Sequence, residues 1–399
     1  MSRLTQRVQR IKPSPTLAID SKAKKMIAEG IDVVSFGAGE PDFDTPDHVK
    51  LAAIKAIDAG KTKYTPVAGI IELKDAVVAK LKRDNNLHYT REDVIVSAGG
   101  KHVLYNIAQA LFEAGDEVII PAPYWVSYPD QVLLNDAKPV VVQTEEKDGF
   151  CLRPEVLEKA ITPKTKAFIL NSPSNPTGGA YPRKNLEAIA EILVKKNVFC
   201  VSDEIYEKIV YDGFEFTSIA SLNDRIKEIT LTVNGASKVY SMTGWRMGYA
   251  VGPRDIIDAM AKIQGQVTSN ITSITQWACV EALNGSHEFL KTWVAEFKKR
   301  RDVIVKRFNA IPGVTCFNPQ GAFYVFPNVS AYFGRKYGGK VIQGSDDLAA
   351  YLLEKALVAV VPGSGFGADG FIRLSYATSM AKIEKGLERI EKALAALTT

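Results

Sequence analysis

Residues 166–203, K-A-F-I-L-N-S-P-S-N-P-T-G-G-A-Y-P-R-K-N-L-E-A-I-A-E-I-L-V-K-K-N-V-F-C-V-S-D, determine the fold of this chain. Short apolar runs at 166–171 and 198–203 predict two strands, and the run that starts at Leu186 predicts a helix between them. A strand, a helix and a second strand in this order are typical of a unit whose two strands lie parallel in one sheet.

The same alternation of short and long apolar runs continues from about residue 48 to residue 290. Further strand candidates are D-V-I-V-S from Asp93, E-V-I-I-P from Glu117, P-V-V-V-Q from Pro139 and I-T-L-T-V-N from Ile229. The pattern predicts an α/β protein whose large domain, 48–290, holds a mainly parallel, doubly wound sheet. We expect a smaller, discontinuous α+β domain from 15–47 and 291–399, preceded by an N-terminal arm at 1–14.

Composition excludes several classes of protein. The chain has 399 residues, 46% of them hydrophobic and 24% charged, and a formal net charge of +5, which does not indicate a nucleic-acid partner. No run approaches the ~18 consecutive apolar residues of a membrane span. With four histidines and no C-x-x-C pair, no metal site is expected, and scattered thiols favour the reducing cytoplasm. The cysteines are Cys151, Cys200, Cys279 and Cys316.

The most informative functional motif is T-V-N-G-A-S-K-V-Y-S-M-T-G-W-R-M-G at 232–248. Lys238 ends a β-branched, strand-like run, small residues precede it, and Arg246 follows eight positions later. An amine on a rigid element can form a Schiff base with an aldehyde, and a guanidinium nearby can bind a phosphate. These are the groups that a pyridoxal 5′-phosphate (PLP) enzyme needs, although a lysine near a glycine is, by itself, most often a solvated charge.

A second motif, Ala98-Gly99-Gly100-Lys101, stands between a predicted strand and a predicted helix. Backbone N–H groups at a helix N-terminus attract anions, and glycines let the anion approach closely. The alternative is an ordinary helix-start turn. The spacing matches neither the dinucleotide-binding fingerprint nor a P-loop, which disfavours a nicotinamide-dependent dehydrogenase.

Polar or aromatic residues follow other predicted strands, and each has a functional and a structural interpretation. Asp203 can pair with a pyridinium nitrogen, or it can cap the next helix. Trp125 can stack on a flat ring or pack within its aromatic loop. Asn175, in N-S-P-S-N-P-T-G, can direct an amide inward or belong to a rigid loop. Arg373, in G-F-I-R-L-S-Y, can bind a carboxylate through two hydrogen bonds or lie at the surface.

These motifs occur in one order over nearly the whole chain. They resemble the motifs of the class I, fold-type I, PLP-dependent aminotransferases, most closely those of the aspartate/prephenate aminotransferase subgroup. The resemblance rests on N-P-T-G at 175–178, D-x-x-Y at 203–206, the lysine motif at 232–248 and the late arginine, Arg373.

The resemblance implies a role for each site residue. Lys238 would attach the cofactor and transfer the substrate's α-proton. The residues implied for the cofactor are Gly100, Lys101, Trp125, Asn175, Asp203, Tyr206, Ser237, Arg246 and Tyr64. The residues implied for the substrate are Gly39, Trp125, Asn175, Arg373, Lys101, Ser14, Thr16 and Lys12. Tyr64 would reach the phosphate in the neighbouring subunit, which implies a homodimer with shared active sites.

One position departs from the family pattern. Many relatives carry a phosphate-binding serine three residues before the lysine, where this chain has Gly235. Ser237 is the candidate to replace it.

The resemblance at Lys101, Ser14 and Thr16 implies an acidic substrate. We therefore predict ping-pong transfer of the amino group of aspartate to 2-oxoglutarate, with prephenate as a further acceptor. A PLP-dependent lyase or synthase on the same fold remains an alternative, as does an aminotransferase for neutral or aromatic amino acids. A transcription regulator with an aminotransferase-like domain would need an N-terminal DNA-binding domain, for which we expect no room.

Overall fold

The computed structural model describes residues 3–11, 13 and 15–398. Its helices are α1 (Gln6–Arg10), α2 (Pro15–Ala28), α3 (Asp47–Asp58), α4 (Ile71–Asn85), α5 (Gly100–Leu111), α6 (Ser127–Leu133), α7 (Pro154–Ala160), α8 (Arg183–Lys196), α9 (Asp224–Lys227), α10 (Arg254–Val267), α11 (Ser273–Asn284), α12 (Phe289–Asn309), α13 (Ser345–Tyr351) and α14 (Met380–Ala395). Its strands are β1 (Val34–Ser35), β2 (Val94–Ser97), β3 (Glu117–Ala122), β4 (Lys138–Gln143), β5 (Thr165–Asn171), β6 (Phe199–Asp203), β7 (Thr230–Gly235), β8 (Gly248–Val251), β9 (Tyr324–Val325), β10 (Lys336–Tyr337), β11 (Lys340–Val341), β12 (Val358–Ala359), β13 (Val361–Pro362) and β14 (Ile372–Ser375).

The largest sheet in the described part of the chain has seven strands in the order β2-β8-β7-β6-β5-β3-β4. Strands β3 to β7 pair in parallel, whereas β8 is antiparallel to both of its neighbours. Side chains of β3 alternate between the two faces: Val118 and Ile120 pack in one core cluster and Ile119 in another. The predicted α/β class and mainly parallel, doubly wound sheet are therefore confirmed.

The stretch quoted first forms β5, α8 and β6. Helix α8 buries Leu186, Ile189, Ala190 and Leu193, the spacing of one helical face. Burying a large aliphatic side chain contributes about 1.5–3 kcal/mol, so this face fixes the helix on the sheet. Parallel pairing of the strands then places their last residues side by side at the carboxyl edge of the sheet.

A second hydrophobic core is formed by β1 and by elements from α12 to α14. Strands β13, β14 and β9 form an antiparallel sheet, and a continuous apolar cluster joins it to α12, α14 and β1. Helix α14 begins at its N-cap Ser379, whose hydroxyl accepts a hydrogen bond from the Lys382 N–H. The domain limits remain a prediction, and the limit at 290/291 falls within α12. Over the described residues, no helix is long and apolar enough to cross a membrane.

Candidate active site

A cavity of about 240 Å³ lies at the carboxyl ends of the parallel strands. This is where a doubly wound sheet binds its ligands, because loops from different strands converge there. The sequence-predicted residues that line it are Thr16, Gly39, Gly100, Lys101, Trp125, Asn175, Asp203, Tyr206, Ser237, Lys238, Arg246 and Arg373. Residues separated by hundreds of positions in the sequence therefore meet in one cavity.

Three predicted residues are not part of this lining. Tyr64 is 91% exposed and lines a separate surface cleft near α4 and α11. Lys12 and Ser14 lie outside the described residues, so their predicted contacts with the substrate remain predictions. The contact predicted for Tyr64 with the phosphate of a neighbouring subunit likewise remains a prediction.

Lys238 follows β7 and directs its amine into the cavity, where Nζ donates a hydrogen bond to the Gly39 carbonyl. Burial lowers the pKa of this amine to about 8, and the positive charges of Arg373 and Arg246 act in the same direction, while Glu40 opposes them. A buried ammonium loses hydration that its neutral form does not need. A substantial neutral fraction near neutral pH is what a lysine base requires.

This lowered pKa predicts that Lys238 destabilises the cofactor-free protein. Between about pH 8 and the ordinary pKa of 10.5, the unfolded chain holds a proton that the folded chain has lost, so stability rises with pH. Below about pH 8 the folded chain holds the proton as well, so the full free-energy cost of the buried ammonium remains. Lys238→Met should therefore stabilise the cofactor-free protein at neutral pH by about 3 kcal/mol, a benefit that shrinks towards about pH 10.

Thermal melting of cofactor-free wild type and variant between about pH 7 and pH 10 measures this difference. Lys195→Met is the matched control, because Lys195 is 73% exposed and its ion pair with Glu158 spans 3.9 Å. Equal melting temperatures for wild type and Lys238→Met at neutral pH would contradict the expectation.

The anion-binding end of the cavity is built from glycines and a guanidinium. Gly99, with φ +87°, precedes α5, and Gly100 and Lys101 of the first turn of that helix line the cavity. Arg246 donates to the carbonyls of Ala98 at 3.2 Å and Thr243 at 2.9 Å, and lies against Gly99. A Cβ on Gly248 would approach the Gly100 nitrogen to 2.5 Å, so the turn needs glycine there too. Helix N-terminus and guanidinium together can hold a phosphate.

The unusual glycine at position 235 has a steric reason. Gly235 pairs with Gly248 on β8, and a Cβ at 235 would lie 2.7 Å from the Met247 carbonyl oxygen. No serine fits there without moving the backbone. Ser237 lines the cavity and is 7% exposed, so its hydroxyl is available to a phosphate bound beside Arg246.

Asp203 ends β6 as a buried carboxylate. It accepts a hydrogen bond from the Tyr128 hydroxyl at 2.7 Å and a longer one, at 3.3 Å, from the Ile205 N–H. Burial raises the pKa of Asp203, although the bond from Tyr128 counteracts it. Within the described residues Asp203 forms no ion pair, and a carboxylate in this setting is best satisfied by a cation. No helix begins directly after β6, so Asp203 does not cap one.

Two residues that bond Asp203, Tyr128 through its carboxylate and Asn171 through its backbone carbonyl, are not among those predicted from the sequence. The Asn171 amide donates to the Asp203 carbonyl at 3.0 Å and accepts from the Asn175 N–H at 2.9 Å. The signal for Asn171 was its place at the end of β5, directly beside Asp203 in the parallel register.

Arg373 lies on β14 and is 2% exposed, which removes the surface alternative. Its guanidinium donates to the Gly37 carbonyl at 2.6 Å and to the Asn175 side-chain oxygen at 3.2 Å. Its Nε is buried without a hydrogen-bond partner among the described residues. An unpaired buried donor on a guanidinium is costly, so the site is suited to an incoming carboxylate.

At the mouth of the cavity, Lys101 faces Trp125, with Nζ 5.0 Å from the ring centre. Protein atoms crowded around the ammonium, and then the charge of Arg246, lower the pKa of Lys101, although the residue as a whole is exposed. Thr16 and Leu17 of α2 line the same mouth. Lys101 therefore contributes an amine to the cavity lining, apart from the buried guanidinium of Arg373.

These features fit PLP. A helix N-terminus beside Arg246 suits its phosphate, the buried carboxylate of Asp203 suits its ring nitrogen, and the amine of Lys238 suits its aldehyde. No group of three or more metal-ligating side chains occurs among the described residues.

Comparison with known proteins agrees with this geometry. Residues 31–390 match the family model "Aminotransferase class I and II". The chain is 51% identical, over the full length of both, to the aspartate/prephenate aminotransferase of Cereibacter sphaeroides, and 49% identical over 98% of both to an aspartate aminotransferase of a Bacillus species.

Solved structures agree as well. The aspartate aminotransferase from Rhizobium meliloti superposes with a TM-score of 0.96, at 48% identity over the whole of both chains. The Thermus thermophilus aspartate aminotransferase with maleate gives 0.93, at 45% identity over 98% of this chain and 100% of that one. The predicted fold-type I architecture is therefore confirmed, and the chain belongs to the class I and II aminotransferase family.

Proposed function

We propose that this enzyme uses PLP to transfer the amino group of aspartate to 2-oxoglutarate, with prephenate as a further acceptor. The observation that carries the proposal is the pair of cations at separate places in one cavity, Arg373 in the interior and Lys101 at the mouth. A dicarboxylic amino acid offers one carboxylate to each. The names of the relatives and the maleate, a dicarboxylate, in the Thermus structure support the same substrate class.

The cavity residues divide the chemical work. Arg373 would hold the substrate's α-carboxylate through paired hydrogen bonds, assisted by the backbone of Gly39 and the amide of Asn175. When bound, PLP supplies an aldehyde for the amino group and a cationic ring that withdraws electrons from the α-carbon. Asp203 would keep that ring nitrogen protonated, because a buried carboxylate stabilises a cation beside it.

Lys238 would move the proton. Its neutral amine accepts the proton from the substrate's α-carbon, and the resulting ammonium returns it elsewhere on the reacting skeleton. Burial and nearby cations keep a neutral fraction of this amine available. Trp125 would cover one face of the flat ring and exclude water, Tyr206 would donate to its phenolic oxygen, and Ser237 would bind the phosphate.

A visible absorption spectrum tests this function. We expect a yellow band from the PLP-loaded protein that aspartate bleaches without an acceptor, and that 2-oxoglutarate restores. This exchange in two separate halves is the signature of ping-pong transfer. Pyruvate and ammonia formed from an amino acid without an acceptor would favour a lyase. A band that responds only to neutral or aromatic amino acids would refute the acidic substrate.

Lys101 should determine the preference for acidic substrates. In Lys101→Ala the distal carboxylate loses a charge-assisted partner, so kcat/KM for aspartate should fall by about 10- to 100-fold, with little change for alanine or phenylalanine. Steady-state kinetics with the three amino acids measures this. Lys227→Ala is the matched control, because that lysine also lies over an aromatic ring, 4.8 Å from the centre of Tyr89, but outside the cavity. Equal losses for all three substrates would remove this role.

We also propose a homodimer in which Tyr64 completes the partner's site. Tyr64 is 91% exposed, and Leu51, Ile54 and Ile57 of α3 are each more than half exposed, an apolar surface that a partner would cover. Mixed Tyr64→Ala and Lys238→Ala chains should be more active than either variant alone, since each hybrid dimer has one intact site. A single-chain mass in solution would refute the dimer.

The cytoplasm is the location that we propose. The four cysteines are all unpaired and buried, which suits a reducing compartment.

A further inference from the structure

Tyr324 was not singled out in the sequence, yet it contacts the centre of the site. It lies on β9, is fully buried and lines the cavity. Its hydroxyl is 2.8 Å from the Tyr206 hydroxyl, and the two rings meet edge to face with their centres 5.7 Å apart. At this distance one hydroxyl donates a hydrogen bond and the other accepts it, so the orientation of each hydroxyl depends on the other.

The ring of Tyr324 makes a separate contact. The Arg373 guanidinium lies over it, 4.8 Å from the ring centre, while Phe366 lies 5.3 Å from the same guanidinium. A cation over a buried aromatic face is attracted by the ring electrons without using its N–H donors. Two of those donors remain bonded to Gly37 and Asn175, and the buried Nε has no partner among the described residues.

A third contact of Tyr324 is with the backbone at Gly39. A Cβ built on Gly39 would lie 2.8 Å from the Tyr324 oxygen, so this hydroxyl packs directly on the glycine whose carbonyl accepts the bond from Lys238. Tyr324 therefore contacts residues proposed for the cofactor's oxygen, for the substrate carboxylate and for the position of the lysine.

We propose that Tyr324 is a positioning residue with two separable parts: its hydroxyl orients Tyr206 towards the cofactor, and its ring supports Arg373 for the substrate carboxylate. This inference rests on the function proposed above. When Tyr206 donates its proton to the cofactor's phenolic oxygen, its own oxygen accepts from Tyr324. The second bond strengthens the first, as in other buried hydrogen-bond chains.

Two variants separate the parts. Tyr324→Phe keeps the ring and removes the hydroxyl, so the pH midpoint of the visible band of the PLP-loaded enzyme should rise, because the ionised oxygen loses support. Maleate binding should stay within about twofold of wild type, because the aromatic face remains. Tyr324→Leu removes both parts, so it should shift the midpoint equally and also weaken maleate binding by about 2- to 30-fold.

The matched control is Tyr351→Phe. Tyr351 is also buried, and its hydroxyl donates to the Ala393 carbonyl at 2.8 Å, away from the cavity. The inference is overturned if the pH midpoint of the visible band in Tyr324→Phe equals those of wild type and control. It is also overturned if Tyr324→Leu binds maleate as tightly as wild type does. Wild type that takes up no PLP, or ignores aspartate, overturns the proposed function and this inference with it. A reactive wild type with unaffected variants overturns the inference alone.

Discussion

Lys238→Ala should lower the rate of aspartate transamination by about 10⁴-fold, at the upper end of what a positioned acid–base group contributes. The amine is buried, bonded to the Gly39 carbonyl and faces the cavity, so its removal takes away the base that is positioned there. Single-turnover mixing of the PLP-loaded variant with aspartate measures the loss directly. A small free amine that can enter the cavity should restore part of the rate, because a base is then present again.

The control for this variant is Lys195→Ala, whose lysine is 73% exposed on α8. It should react like wild type. If Lys238→Ala retains activity within about tenfold of wild type, the proton is moved by another group and the proposed mechanism fails.

Arg373→Lys should reduce kcat/KM for every α-amino acid by about 10²–10³-fold, the range for a buried charge pair that loses its partner geometry. Lysine keeps the charge but cannot form two parallel bonds, and it gives up the contacts with Gly37 and Asn175. Steady-state kinetics with aspartate and with phenylalanine measures both losses.

Comparison with Lys101→Ala distinguishes the residue that holds the α-carboxylate from the residue that holds the distal carboxylate. A residue that holds the α-carboxylate should affect aspartate and phenylalanine alike, because both carry that group. A residue that holds the distal carboxylate should affect aspartate alone. An Arg373→Lys variant that lost only aspartate activity would exchange the proposed roles of Arg373 and Lys101.

Much of the fold could be predicted from the sequence because its strands are buried, apolar and separated by helices. The six strands predicted for the large sheet are present as β2 to β7. Strand β8 was missed, since its four residues, Gly248–Val251, begin at the last residue of the lysine motif and include only three apolar ones. It is held by antiparallel pairing with β7 and with β2, which is distant in sequence, so a tertiary contact determines that this strand forms.

The site was less predictable from the residues themselves. Motif order pointed to Lys238 and Arg373, and the structure brings both to one cavity. The residues that hold the site together were not visible, because Tyr128, Asn171 and Tyr324 act through neighbours that only the folded chain provides. A tyrosine in an apolar run has no pattern that distinguishes packing from hydrogen bonding.

The place of Arg373 in the chain also bears on biosynthesis. Its partner carbonyl belongs to Gly37, 336 residues earlier, and β14 is the central strand of its small sheet. A ribosome that has translated nine-tenths of these 399 residues has therefore made a nascent chain without the arginine proposed to bind the substrate. Full activity should appear only after the segment that contains β14 has left the exit tunnel and docked beside Gly37, so catalysis itself reports that this segment has been made and folded.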